Sequence, residues 1–249
     1  MIHSFEWYTL VPGINKLASH VAHTLLVVTV LLTMALLANR RLKAAAAEVV
    51  PSGKLSLTNF FESTYDVLLG MMEGILGHHA SNFIHLIGAL AFFILFSNLL
   101  GLLPGFAPPT DNINTPAACA VVVFLATHYY GIKAQGIRYF KQFAGPIWWL
   151  APLLIPIEII SHLARPLSLT LRLTGNMLGD HLVVTIFVGL AASMTTAIVN
   201  GPIFFWPLNL LTPLVPFFVM LLGLLVAFIQ TYVFILLSIT YISGAIHEH

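Results

Sequence analysis

Long apolar runs separated by short polar breaks dominate this chain. Residues 17–39 contain no Asp, Glu, Lys or Arg, and the run is long enough for one helix across the roughly 30 Å of bilayer hydrocarbon. Residues 82–104 and 115–131 predict a second and a third span. Residues 44–80 are more polar. There Glu62, Asp66 and Glu73 recur at helical spacing among Phe60, Phe61, Val67, Leu68 and Leu69. That pattern predicts an amphipathic helix over 56–78 at the cytoplasmic membrane surface, with its acids on a solvated face. Residues 147–200 and 203–245 are each too long for one upright helix of about 20 residues. Each could be one long tilted helix or two short ones.

Composition sharpens the class. The chain is 59% hydrophobic and 8% charged, whereas a soluble domain is about 25% charged. Such a chain cannot cover a globular surface with polar groups, so residues 1–249 read as a single all-α, polytopic membrane domain. A formal net charge of +1 argues against nucleic acid as a partner. The single cysteine, Cys119, excludes an internal disulfide and any multi-cysteine metal site, and reads as a small packing residue. No cofactor or metal is expected. The start, MIHSFEWYTLVPGINK, lacks the pattern of a cleaved secretory signal.

Charge placement sets a topology. Arg40, Arg41 and Lys43 follow the first span, and Lys133, Arg138 and Lys141 follow the third. Basic residues stay cytoplasmic, so the N-terminus is expected outside. The loop GFAPPTDNIN, with Asp111 and no basic residue, suits the outside.

The remaining charges gather in one place. From Gln142 to His247 only four Asp, Glu, Lys or Arg residues occur: Glu158, Arg165, Arg172 and Asp180. On an ideal helix Glu158, Ser161, Arg165, Ser168, Asn176 and Gly179 all fall within about 40° of Arg172. This is a narrow polar stripe roughly 30 Å long on an otherwise apolar helix. Pro166 is expected to kink or loosen it, which membrane helices tolerate. A charge at mid-bilayer costs about 2.5–3.5 kcal/mol, and arginine keeps its proton at any physiological pH. Arg172 must therefore face water, an anion or a partner protein. Glu158 is too far along the helix to pair with it, and Asp180 lies about 80° off the stripe. Arg165 fits snorkelling as well as function.

The run PIEIISHLARPLSLTLRLTGNMLGDH closely resembles the signature region of subunit a of the F-type ATP synthase. FSNLLGLLPGF at 96–106 and AFIQTYVFILLSITYIS at 227–243 carry the same resemblance. It implies five crossings plus the surface helix, with the last two helices forming a long tilted hairpin. It also implies a C-terminus inside and residence in a bacterial inner membrane. The implied role is that of a proton-translocating stator subunit beside a ring of c subunits, with peripheral-stalk b subunits and the rest of the synthase as partners. Such a chain binds no nucleotide; ATP chemistry belongs to a separate head. Arg172 would face the ring carboxylates and separate two offset aqueous half-channels. Glu158 and Ser161 resemble positions of the cytoplasmic half-channel, and Asn176 and Gln230 resemble polar positions near the arginine and the outer half-channel.

Two departures stand out. Where the family often has an acid, this chain has His181, and where a titratable partner is usual it has Gly223. Imidazole can relay protons near neutral pH, and Asp180 is a possible substitute partner. His181 falls about 180° from Arg172 on an ideal helix, so it faces away from the stripe. Two other readings compete: a solute permease or ion channel lined by the stripe, and a haem-binding electron carrier using His23, His85, His128 or His162.

Overall fold

A computed structural model describes residues 18–45, 57–103, 105–136, 138–139, 149, 151–201 and 212–246. The N-terminal stretch 1–17, Pro104, Lys141, the ends of the two long apolar segments at 147–148, 150 and 203–211, the 247–249 tail and the side chains of Arg41 and Lys43 lie outside the described residues.

Six α-helices carry the described chain: α1 Ser19–Ala45, α2 Leu57–Leu76, α3 Ala80–Leu100, α4 Asn114–Gln135, α5 Ala151–Val199 and α6 Leu214–Ile246. Among them lie five stretches long and apolar enough to cross a membrane. The all-helical, polytopic class expected from the sequence is the class found. The spans expected at 17–39, 82–104 and 115–131 correspond to α1, α3 and α4.

The two long segments resolve toward one helix each. α5 runs 49 residues without a break, with Pro156 and Pro166 inside it, a length of roughly 73 Å at the helical rise. α6 has 33 residues, roughly 50 Å. Both exceed the roughly 30 Å of bilayer hydrocarbon, so neither fits it upright.

α2 leads into α3 through a tight turn at Gly77–His79. Gly77 has a φ of 55°, in the left-handed region that glycine enters without a Cβ penalty. From that turn α2 folds back along α3, because Phe61 reaches Phe92 with ring centroids 5.1 Å apart. Its apolar face packs Leu68, Met72 and Leu76 against Phe83, Ile84 and Ile87 of α3 and Ile239 and Ile242 of α6. Glu62, Asp66 and Glu73 stay exposed, as the helical spacing predicts.

A second cluster joins Leu90 and Ile94 of α3, Cys119, Ala120 and Val123 of α4, Leu169, Leu173 and Met177 of α5, and Phe234 of α6. Cys119 is a buried packing residue there. This cluster fixes which face of α5 turns inward. α1 is clipped on by His23, whose Nδ1 meets the Ser19 carbonyl at 2.8 Å and whose Nε2 accepts from the Ala107 amide at 3.5 Å.

Candidate functional site

The packing of α5 orients its polar stripe. Leu169, Leu173 and Met177 are buried, while Ser161, Ser168, Arg172, Asn176 and Gly179 are exposed on an adjoining side, about 100° around the helix. Arg172 thus stands on an open face of the bundle, beside the buried Leu173. Among the described residues no carboxylate pairs with Arg172. Ideal Cβ atoms at Gly175 and Gly179 would meet nothing within 4 Å, so the surface beyond the arginine toward Asp180 is low.

One turn beyond Arg172, the Asn176 side-chain amide donates to Gln230 Oε1 at 2.6 Å. Gln230 is buried on α6. The two polar residues singled out on separate helices therefore meet. A polar track continues inward from Gln230. Its neighbour Thr231 accepts from the Asn98 amide at 3.5 Å, and Asn98 Oδ1 accepts from the Thr110 hydroxyl at 2.8 Å. Asn98, Thr110 and Thr231 are all buried, and Thr110 sits in the short turn Pro109–Asp111. Sequence reasoning missed these three. The available signal was Asn98, an uncharged but strongly polar residue inside the apolar run FSNLLG.

Asp180 is half-buried and turned toward α6. A Cβ built on Gly223 would lie 2.9 Å from its Oδ2 and 2.8 Å from Leu102 Cδ2. The carboxylate occupies the space that a side chain at Gly223 would need. His181, half-buried, faces away from the arginine stripe as the helical projection requires. Its Nδ1 is buried without a hydrogen-bond partner among the described residues.

At the other end of the stripe, Glu158 and Arg165 are half-buried rather than fully open. Glu158 Oε1 lies 3.3 Å from His162 Nδ1. The Arg165 guanidinium lies 5.4 Å from the Tyr241 ring centroid on α6, close enough for cation–π attraction. Arg165 therefore rests on a neighbouring helix as well as on its own.

The histidines raised for haem are dispersed. His85 is exposed and His23 is engaged with the loop at Ala107. His128 and His162 meet edge to face, with ring centroids 5.6 Å apart. Both use Nδ1 on a carbonyl of their own helix. Among the described residues no group of three His, Cys, Asp or Glu side chains is arranged to hold a metal ion.

Comparison with known proteins gives a consistent result. The family model described as ATP synthase A chain matches residues 21–243. The ATP synthase subunit a of Trichlorobacter lovleyi is 48% identical over 231 residues, covering 93% of this chain and 88% of that protein. ATP synthase subunit a 2 of Syntrophotalea carbinolica is 49% identical over 229 residues, covering 92% and 86%. Subunit a of Geobacter sulfurreducens is 47% identical over 231 residues, covering 93% and 89%.

Proposed function

The chain belongs to the ATP synthase A chain family, and we propose that it is the proton-translocating membrane stator of an F-type ATP synthase, with Arg172 facing a ring of c subunits. One observation carries this reading. A permanent charge stands on an open face of a membrane helix whose adjoining face is packed, and no carboxylate of the described chain neutralises it. A membrane charge so placed needs a partner from outside. A ring that presents one carboxylate after another supplies it.

The geometry supports a division of labour on either side of Arg172. Toward one end lie Asn176, Gln230, Asp180 and His181, with the buried track through Thr231, Asn98 and Thr110. These form the outer half-channel. Toward the other end lie Ser161 and Glu158, which form the cytoplasmic half-channel. A proton entering from outside protonates a ring carboxylate near Asn176. The neutral carboxyl then enters lipid as the ring turns, and it releases its proton on the Glu158 side. Arg172 attracts the freed carboxylate, and its fixed charge repels a proton that would cross directly between the two channels. The two routes thus connect only through the ring, which couples proton flow to rotation and to ATP synthesis in a separate head.

The N-terminus is outside and the C-terminus cytoplasmic in a bacterial inner membrane. The basic residues after α1 and α4 support that orientation. The Gly77–His79 end of α2 lies at the cytoplasmic surface, and α5 with α6 forms the tilted hairpin beside the ring. Peripheral-stalk b subunits hold the chain against rotation. The test is ATP-driven proton pumping by membrane vesicles carrying assembled Arg172→Ala complex. Pumping is abolished if the role is right, and normal coupled pumping would overturn it.

A further inference from the structure

The Glu158 end of α5 packs against the C-terminal ends of α4 and α6, and a second set of titratable groups is buried there. His162 is buried on α5 and meets His128 of α4. Each ring is tied through Nδ1 to the carbonyl four residues earlier: His162 to Glu158 at 3.0 Å and His128 to Phe124 at 2.9 Å. A carbonyl oxygen only accepts, so Nδ1 of each neutral ring carries the hydrogen and Nε2 is the basic nitrogen. Two proton-accepting nitrogens therefore share one compartment.

The groups around them suit proton transfer. Glu158 Oε1 reaches the same His162 Nδ1 at 3.3 Å, so the carboxylate is within reach of the proton that Nδ1 carries. Arg165 on α5, Tyr241 on α6 and Tyr139 after α4 complete the ionisable surroundings. Burial pushes the Tyr139 phenol above its ordinary range, with the Arg165 charge opposing, so it stays a neutral neighbour. Pro166 has no N–H for the His162 carbonyl. It lines a narrow, mostly apolar cleft of about 10 Å³ together with both histidines.

We propose that His162 is a proton-relay residue of the half-channel at Glu158, with His128 as a second acceptor. This rests on the reading of the chain as a proton-conducting subunit. A proton from the cleft, or from His128, binds Nε2 of His162. The Nδ1 proton then passes to the Glu158 carboxylate, leaving a neutral ring protonated at Nε2. Proton exchange with the cleft restores the Nδ1–H form. The net change is one proton moved between cleft and carboxylate, and the reverse sequence moves it outward. Two imidazoles this close to each other and to Arg165 oppose double protonation, so the cluster passes one proton at a time.

The test uses membrane vesicles with assembled synthase, in which ATP-driven pumping draws protons through this half-channel. His162→Asn keeps a donor where Nδ1 stood and removes the basic Nε2. Pumping is followed from about pH 6 to about pH 9 on the uptake side, a range that brackets imidazole titration. The expected result is a loss of about fivefold or more at the alkaline end, where a local proton acceptor matters most, with pumping approaching native at the acid end. His128→Asn should act in the same sense but less. A pH profile of native shape overturns the relay, whether pumping is unchanged or uniformly reduced. If His162→Asn fails to assemble, His162→Gln carries the same comparison. Arg172→Ala in parallel separates the two ideas. Normal pumping by that variant defeats the parent reading, whereas abolished pumping beside a native-shaped His162→Asn profile defeats only the relay.

Discussion

The Asp180 carboxylate lies against Gly223, closely enough that a Cβ on the glycine would sit 2.9 Å from Oδ2 and 3.1 Å from Oδ1. Two helices thus share one ionisable group at this level, supplied by α5 because α6 leaves room for it. The sequence raised Asp180 as a possible substitute for the missing partner at Gly223, and in the structure the two positions adjoin.

Replacing Gly223 by alanine should therefore act through Asp180. The added methyl meets the carboxylate and Leu102 Cδ2, an overpacking that costs about 1–3 kcal/mol. Asp180→Asn keeps the shape and removes the exchangeable charge. It should lower ATP-driven pumping by about a hundredfold if this carboxylate handles protons. Gly223→His should fail alone and recover in part when combined with Asp180→Gly. Equal pumping by the single and double variants would show that the two positions are not exchangeable.

Asn176 and Gln230 should behave as one unit. Removing either leaves the other's amide without its partner, and in Asn176→Ala the orphaned Gln230 is buried. Each alanine variant is expected to slow pumping, and the double variant to be little worse than the poorer single. The coupling is expected to be about 1 kcal/mol. Additive losses in a double-mutant cycle on pumping rate would deny a functional role to the 2.6 Å hydrogen bond.

Arg172 and Leu173 are chain neighbours with opposite surroundings, so their alanine variants should fail differently. Arg172→Ala should assemble and not pump. Leu173→Ala opens a cavity in the α3–α4–α5–α6 cluster at a cost of about 2–5 kcal/mol, and should reduce the amount of assembled complex. Arg172→Lys should also stop coupled pumping if a planar, permanent charge is required. Immunoblots of purified complex beside pumping rates distinguish these outcomes.

His181→Ala should shift the pH dependence of proton flow if the imidazole takes part in the outer half-channel. An unchanged profile, with altered assembly or thermal stability alone, would assign His181 to packing. Its buried Nδ1 makes this comparison informative, since a purely structural imidazole is expected to have both nitrogens satisfied when buried.

Much of the architecture was legible because lipid imposes few solutions on backbone polar groups. Apolar length alone located α1, α3 and α4, and the acids of α2 marked its exposed face. The stripe on α5 was legible because 3.6 residues per turn fixes which side chains share a face. The uncertainty over residues 147–200 had a specific cause. The run is too long for one upright helix of about 20 residues, yet α5 continues for 49, through Pro156 and Pro166. Neighbouring helices can support a helix whose backbone bonds are interrupted. Contacts across helices were less accessible. Nothing in spacing brings Asn98 to Thr231, or His128 to His162, because tertiary packing makes those pairs.

Arg172 on an open face also bears on how this subunit is made. Before a ring is present, its guanidinium must draw water into the membrane or snorkel toward a headgroup, at a cost of about 2.5–3.5 kcal/mol if held near mid-bilayer. Docking a ring carboxylate relieves that cost. The same arginine would then favour the assembled over the orphaned subunit by up to a factor of about three hundred, and an unassembled chain would carry that cost unrelieved.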